Sequence, residues 1–392
     1  MIESLTLILT DKCNSYCKYC YQKFLKKENN LELNNFWHEN DLENLKKIIT
    51  NIQILHFFGG EPLIEENFIF KLDNYLDQLK IKKPIYIFST NLVHISERFK
   101  NFLIKLKREN HQVKFIISID GPREIHNANR ILKNKQSSFD NIKKNYLYIS
   151  SLGFSIDSVV AVYNQEHLKK NISILDTIKF LSIEFPKIQN IQISCEYYIK
   201  GIRIEEQLFQ ELYLKSIENI FYLILSKNNE AIYYGKFIKK LIEELIYYLL
   251  KEERKNYLCL NQINRITIFP DKKIFTCPEE YYFNYSHKAV LGDEFNYINF
   301  SEKKDTSSNL KFNYKEIKCK NCEYIKVCHI CPLDKETLEK QCQYKKLYFN
   351  ILFNNLEKIF NDIEIFNYFK KITEINAQNL KTIFLYMKSN LK

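Results

Sequence analysis

The first 200 residues alternate short runs of β-branched and aromatic side chains with longer stretches in which apolar residues recur every three or four positions. The short runs, at 4–10, 53–58, 84–89, 113–120, 155–162 and 188–196, are predicted strands. Between them, 37–50, 65–80, 94–109, 139–151 and 167–184 carry the helical period. This alternation implies an α/β fold, a parallel sheet with right-handed crossovers. Six units suit a partial (β/α)6, TIM-like barrel better than a closed eight-unit one. Residues 204–256 then read as a linker of two helices, and 257–345 as a cysteine-rich domain with a hairpin at 265–269 and 273–276. Residues 346–392 read as a helical extension, so the expected barrel domain is 1–203.

In parallel α/β folds the chemistry sits in loops at the carboxyl ends of strands. Cys13 follows the first predicted strand, Gly59-Gly60-Glu61-Pro62 the second, Thr90-Asn91 the third and Asp120-Gly121-Pro122 the fourth. The chain has only seven glycines, and three of them occupy these loops, which raises the weight of each.

Composition narrows the function classes. Aromatics at 15% with abundant Ile and Leu exclude disorder as the main state. The longest apolar runs, such as 221–225 and 245–250, fall far short of the ~20 residues a bilayer span needs. Cys13 and Cys17 lie where the apolar core of a secretory signal would be, so a cytoplasmic location is expected, with no membrane partner. The net charge of +11 comes from lysines spread along the whole chain, not from a stripe or tail, so no nucleic-acid partner is expected.

Eleven cysteines in a chain without an export signal point to metal ligation in a reducing compartment. Cys13, Cys17 and Cys20 form a C-x3-C-x2-C cluster in a loop. Three thiolates can hold three irons of a cubane and leave the fourth iron open to a small bidentate ligand. A zinc site would need a fourth ligand, and the nearest histidine is His38. Cys195 stands alone and reads as a buried structural thiol.

At these residues the sequence resembles the radical S-adenosylmethionine (radical SAM) enzymes. The resemblance implies that Cys13, Cys17 and Cys20 bind a [4Fe–4S] cluster whose open iron chelates S-adenosylmethionine, with Tyr19 packed nearby. It implies an oxidoreductase whose 5′-deoxyadenosyl radical abstracts hydrogen from substrate. By the same resemblance, Gly59, Gly60 and Glu61 receive the methionine amino group, and Ser118 and Arg130 its carboxylate. Ser89 and Asn91 would line the pocket, while Asp120 and His126 brace the loop.

Cys259-x17-Cys277, Cys319-x2-Cys322-x5-Cys328-x2-Cys331 and Cys342 resemble a SPASM domain carrying two auxiliary [4Fe–4S] clusters, three clusters in all. The resemblance places Cys259, Cys277 and Cys331 on auxiliary cluster one, and Cys319, Cys322, Cys328 and Cys342 on auxiliary cluster two. Cys319, Cys322, Cys328 and Cys331 alone would also make a tetrahedral zinc site. Two departures stand out: His329-Ile330 gives a spacing of two where SPASM domains have three, and the glycine expected before the second cysteine is replaced by the Lys272-Lys273 turn.

SPASM enzymes act mostly on peptides and proteins, so the resemblance implies a peptide (RiPP) maturase forming a thioether or carbon–carbon crosslink or a related modification. The alternatives are formylglycine formation of the sulfatase-maturase kind and a non-catalytic iron–sulfur or zinc binding module. Sulfatase maturases carry an extra cysteine in the first auxiliary pair and an aspartate after the second cysteine; here no cysteine lies between Cys259 and Cys277, and Pro278 follows Cys277. The implied partners are a peptide or protein substrate and a one-electron donor such as flavodoxin or ferredoxin. Only twelve residues precede Cys13, so leader binding is expected to come from a separate leader-binding protein, from the 205–256 helices or from the tail after 343, or not to be needed.

Overall fold

The computed structural model describes residues 3–28, 36–134, 136–195, 206–250, 265–278, 281, 289–291, 322, 324, 327, 328 and 338–390. The chain divides into two compact units, 1–160 with 197–202 and 261–307, and 161–196 with 203–260 and 308–392.

In the first unit the strands are β1 (Ser4–Ile8), β2 (Ser15–Cys17), β3 (Ile54–Phe58), β4 (Ile85–Thr90), β5 (Val113–Ser118), β6 (Arg130–Leu132) and β7 (Ser155–Tyr163), the last three residues of β7 passing into the second unit. A hairpin, β9 (Arg265–Ile268) and β10 (Lys273–Phe275), and the short β11 (Ala289–Val290) follow later in the chain, after β8 (Ile188–Cys195) of the second unit. The helices are α1 (Tyr21–Glu28), α2 (Asp41–Ile49), α3 (Glu66–Gln78), α4 (Glu97–Arg108), α5 (Arg123–Asn129) and α6 (Phe139–Ser151). Strand order across the unit is β11-β10-β9-β1-β3-β4-β5-β7. The pairs from β1 to β7 are parallel, which is the predicted α/β class.

Alternation along these strands sets the two faces. Phe57, Phe88 and Phe115 lie in register on β3, β4 and β5, and all three are buried. Their rings stack at 4.9 Å and 5.5 Å, and Phe99 of α4 meets Phe88 edge-on, forming the hydrophobic layer beneath the helices. The opposite face carries His56, Ser89 and Ser118, which are only partly buried. A strand covered on both faces reads as continuously apolar. Here one face keeps polar side chains and leads up to the loops.

The hairpin predicted within the cysteine-rich domain does form, but β9 also pairs in parallel with β1, from Ser4↔Arg265 to Leu7↔Ile268. Without it β1 would be an edge strand with an unpaired row of backbone groups. Ile8, Phe269, Phe275 and Tyr281 form a small core over that junction. Nothing in the local pattern of the hairpin names β1 as its partner.

The second unit holds α7 (Gln165–Lys169), α8 (Ile174–Glu184), β8, α9 (Glu206–Leu225), α10 (Gly235–Leu250), α11 (Leu338–Asn361), α12 (Ile363–Thr373) and α13 (Ala377–Asn390). The single helix predicted at 167–184 is broken into α7 and α8. Asn171 takes a left-handed φ of 55°, and Ser173 starts α8 in a capping box with Asp176. Among the described residues no helix is long and apolar enough to cross a membrane.

Candidate functional site

The three N-terminal cysteines lie on the loop that leaves β1, and part of that loop is itself ordered by pairing. Strand β2 runs antiparallel to β6, with Cys17 opposite Arg130 and Tyr16 opposite Ile131. The loop is locked from below by the turn after β3. Gly60 N–H donates to the Thr10 carbonyl at 2.8 Å, and Glu61 N–H to the Lys12 carbonyl at 2.9 Å. A Cβ on Gly60 would sit 2.3 Å from the Lys12 carbonyl oxygen, and one on Gly59 2.3 Å from that of Thr10. Gly59 also has a φ of 147°. Only glycine lets the two backbones approach this closely. The glycines therefore set the position of the segment that carries Cys13, in addition to whatever ligand their carbonyls face.

Glu61 is buried, and its carboxylate accepts from Leu63 N–H at 3.2 Å, Thr90 hydroxyl at 2.7 Å and Asn91 N–H at 2.8 Å. Burial pushes its pKa up to about 7 against those three donors. It ties the carboxyl ends of β3 and β4 together. Asn91 extends this link to the cysteine loop, its amide donating to Asn14 Oδ1 at 2.6 Å and approaching Cys13 Sγ at 3.7 Å. Ser89 is held by His56 at 2.7 Å, and burial pushes that imidazole down to about 3, so it is neutral. Ser118 makes no side-chain hydrogen bond to the described residues.

On the other side of the loop sits a buried charge pair. Asp120 is fully buried; Arg130 donates to its Oδ1 through Nη2 at 3.0 Å and Nε at 3.1 Å, and Tyr19 donates its hydroxyl to Oδ2 at 2.5 Å. Burial alone would raise the Asp120 carboxyl, but the Arg130 guanidinium, with His126 and Tyr19, holds it below its usual range. The guanidinium lies over the Tyr19 ring at 5.3 Å, and its Nη1 reaches Cys17 Sγ at 3.9 Å. His126 accepts from Asp120 N–H at 3.4 Å and meets Ser138 Oγ at 3.0 Å, while burial pushes its pKa down to about 4. Two of the five Arg130 donors are thus committed to Asp120, and the sequence alone did not show Asp120 as the centre of this network. The sequence offered two candidate partners for this aspartate, Arg123 three residues on and Arg130 ten residues on, and only the structure shows that Arg130 is the one it meets.

Could this site hold an iron–sulfur cluster? The donor set is three half-buried thiols on one short loop. Burial raises Cys13 and pushes Cys17 up to about 12, so these two bare thiols are protonated and iron ligation would have to displace their protons. Donors already point at the sulfurs: Ser15 N–H at 3.4 Å from Cys13, Asn91 as described, and the Arg130 cation beside Cys17. Hydrogen bonds and positive charge of this kind stabilise a cluster's thiolates. Among the described residues no three His, Cys, Asp or Glu side chains converge on a single metal ion. That is compatible with a cubane, where each cysteine binds its own iron. The residues fit the group.

In the second cysteine field Cys277, just after β10, is half-buried in the first unit. Cys322, Cys328 and Cys342 are half-buried in the second unit, with Cys328 N–H donating to the Tyr324 carbonyl at 2.8 Å. Cys259, Cys319 and Cys331, the remaining expected auxiliary ligands, lie outside the described residues, as does the side chain of Cys195.

A cysteine loop after the first strand, a glycine–glycine–glutamate turn after the next and a buried Asp–Arg brace describe one class of protein. Residues 7–171 match the family model of the Radical SAM superfamily, and the chain carries a radical SAM domain there. An uncharacterized protein of Methanocaldococcus jannaschii is 32% identical over 187 residues, covering 47% of this chain and 62% of that one, so the chain spans under two thirds of that relative. The cysteine-type anaerobic sulfatase-maturating enzyme of Clostridium perfringens strain 13 is 25% identical over 379 residues, 90% of this chain and 96% of that one. Among solved structures, native anSMEcpe with bound AdoMet and Cp18Cys peptide shares the fold at a TM-score of 0.70 and 19% identity, covering 93% of this chain and all of that one. Streptococcus suis SuiB bound to precursor peptide SuiA does so at a TM-score of 0.54 and 16% identity, over 84% and 71%.

Proposed function

We propose that this protein is a radical SAM peptide maturase that crosslinks a ribosomally made peptide through a thioether or carbon–carbon bond. The observation that carries the enzyme reading is the joined site: Glu61, Asn91, Asp120 and Arg130 fix the loop of Cys13, Cys17 and Cys20 from two sides. When bound, the cluster and S-adenosylmethionine supply a 5′-deoxyadenosyl radical that takes hydrogen from the substrate. The chain's own residues hold and shield them. Cys13, Cys17 and Cys20 would ligate the cluster, and Gly59, Gly60 and Glu61 would present acceptors to the methionine ammonium. Ser118, with its uncommitted hydroxyl, and the remaining Arg130 donors suit the methionine carboxylate. Tyr19, Ser89 and Asn91 would line the same pocket. Cys277, Cys322, Cys328 and Cys342, with Cys259, Cys319 and Cys331, would hold two auxiliary clusters.

The peptide as substrate is supported by the two solved neighbours that contain one. A separate leader-binding protein and a cytoplasmic setting belong to the same reading. Formylglycine formation is the second reading, favoured by the alignment to the Clostridium perfringens maturase along 96% of its length. Against it stands Pro278 after Cys277, where sulfatase maturases carry an aspartate.

The test is anaerobic reconstitution, with about 12 Fe expected from three cubanes and about four fewer in the Cys13→Ala/Cys17→Ala/Cys20→Ala variant. With dithionite and S-adenosylmethionine the wild type should make 5′-deoxyadenosine and the variant none. A crosslinked peptide should be about 2 Da lighter, whereas formylglycine made from cysteine would be about 18 Da lighter and react with hydrazides. A hydrazide-reactive product overturns the crosslinking reading in favour of the second, and no deoxyadenosine from the reduced wild type overturns both.

A further inference from the structure

We infer that the outward face of the β2–β6 pair is the docking surface for an acidic one-electron-donor protein, an inference that rests on the radical SAM reading above. Strand β2 sorts its side chains by alternation: Ser15 is buried, Cys17 turns its sulfur toward the buried Arg130, and Tyr16 between them is 46% exposed. The ring of Tyr16 is therefore the outer surface of the segment whose inner side carries the cysteines. Two exposed ammonium groups converge on that ring, Lys23 at 4.1 Å and Lys133 at 5.6 Å from its centroid. Neither has an ion-pair partner among the described residues, in contrast to Lys26, which is bound to Asp11. Lys18, directly after Cys17, is exposed as well.

Beside this patch lies a shallow recess of about 320 Å³ lined by Asn14, Val93, His94, Leu132, Lys133 and Asn134 among others, with no carboxylate. An exposed aromatic ring, the Lys23 and Lys133 ammonium groups without ion pairs among the described residues, and an open recess free of acids form a surface complementary to an acidic face. Positive charge of this kind steers and orients such a partner, raising association rates by roughly 10- to 1,000-fold at low salt. The position gives the surface its purpose. Tyr16 and Asn14 are covalent neighbours of Cys17 and Cys13, so a protein seated here lies within a residue or two of the cysteine loop. The step is a single electron transfer, in which the donor is oxidised by one electron and the cluster site reduced by one. No bond forms or breaks.

The experiment uses the reconstituted enzyme, an acidic flavodoxin as the probe, and the Lys23→Glu/Lys133→Glu pair beside Lys23→Gln/Lys133→Gln. Affinity for oxidised flavodoxin is measured by titration at low and high salt, and deoxyadenosine formation is followed with either reduced flavodoxin or dithionite. The charge-reversed pair should bind flavodoxin at least about 10-fold more weakly at low salt and lose most of the salt dependence, with the Gln pair in between. Iron content and the dithionite-driven rate should stay within about twofold of wild type, because a small reductant needs no docking surface. Unchanged flavodoxin affinity in both pairs, or no binding by the wild type, overturns the surface while dithionite-driven turnover leaves the enzyme reading standing. No dithionite-driven deoxyadenosine from the wild type overturns the enzyme reading instead, and the surface's purpose with it.

Discussion

Replacing Asp120 by Asn removes one charge from a pair with almost no access to water. The Asp120 side chain is 0% exposed and that of Arg130 10%. At 3.0 Å, and with an effective dielectric constant near 20, the attraction is about 5 kcal/mol. Asn keeps the shape and an acceptor for Tyr19, but leaves the buried guanidinium without its counter-ion. Breaking a buried pair from one side costs about 3–5 kcal/mol, because the remaining charge stays desolvated. Arg130→Met should cost a similar amount, leaving Asp120 to be protonated or to pull the loop open. The double variant should lose much less than the sum of the two, since neither charge then remains unpaired. Urea titration read by tryptophan fluorescence suits the measurement: Trp37 is the chain's one tryptophan, and it donates its indole N–H to the Ile8 carbonyl at the end of β1. A loss below about 1 kcal/mol for Asp120→Asn would refute the reasoning, because the pair would then behave like an exposed one.

The Gly60→Ala variant should be destabilised by about 3 kcal/mol or more and bind about four fewer Fe, since its Cβ meets backbone oxygens that no side-chain rotation can move. Full iron content in that variant would show that the turn does not position the cysteine loop. The His126 imidazole, buried and pushed down from 6.5 to about 4, takes up its proton in the unfolded chain before the folded one. Its contribution is complete above about pH 6.5 and is lost as pH falls toward 4, by up to about 3 kcal/mol. Thermal stability followed from pH 7.5 to 5 should fall less steeply in His126→Gln than in the wild type, and equal slopes would count against a neutral buried histidine.

The runs of β-branched and aromatic residues placed every strand of the parallel core within a few residues, because the buried face of each strand is mostly apolar. The run 113–120 ends as β5 at Ser118, since Asp120 is drawn out of the sheet to meet Arg130 and Tyr19. The break between α7 and α8 was written locally too, in Asn171 and the Ser173–Asp176 capping box, but was masked by continuous helical periodicity. Spacing likewise singled out Cys13, Cys17 and Cys20 as candidates, and the structure keeps them together on one loop because their separations are local in the chain.

What only the tertiary structure decided are the contacts between distant segments. The pairing of β9 with β1 joins residues some 260 positions apart, and backbone hydrogen bonds carry no side-chain signature of their partner. Glu61 could be read as a ligand for an ammonium group, but its place beneath Thr90 and Asn91 depends on β3 lying next to β4. The same holds for Tyr19 and Asp120, 101 residues apart and within hydrogen-bond distance. Residue types and their local spacing determined which chemistry this chain could carry. The order of strands in the sheet determined which of those residues meet, because burial and charge pairing are properties of neighbours in space.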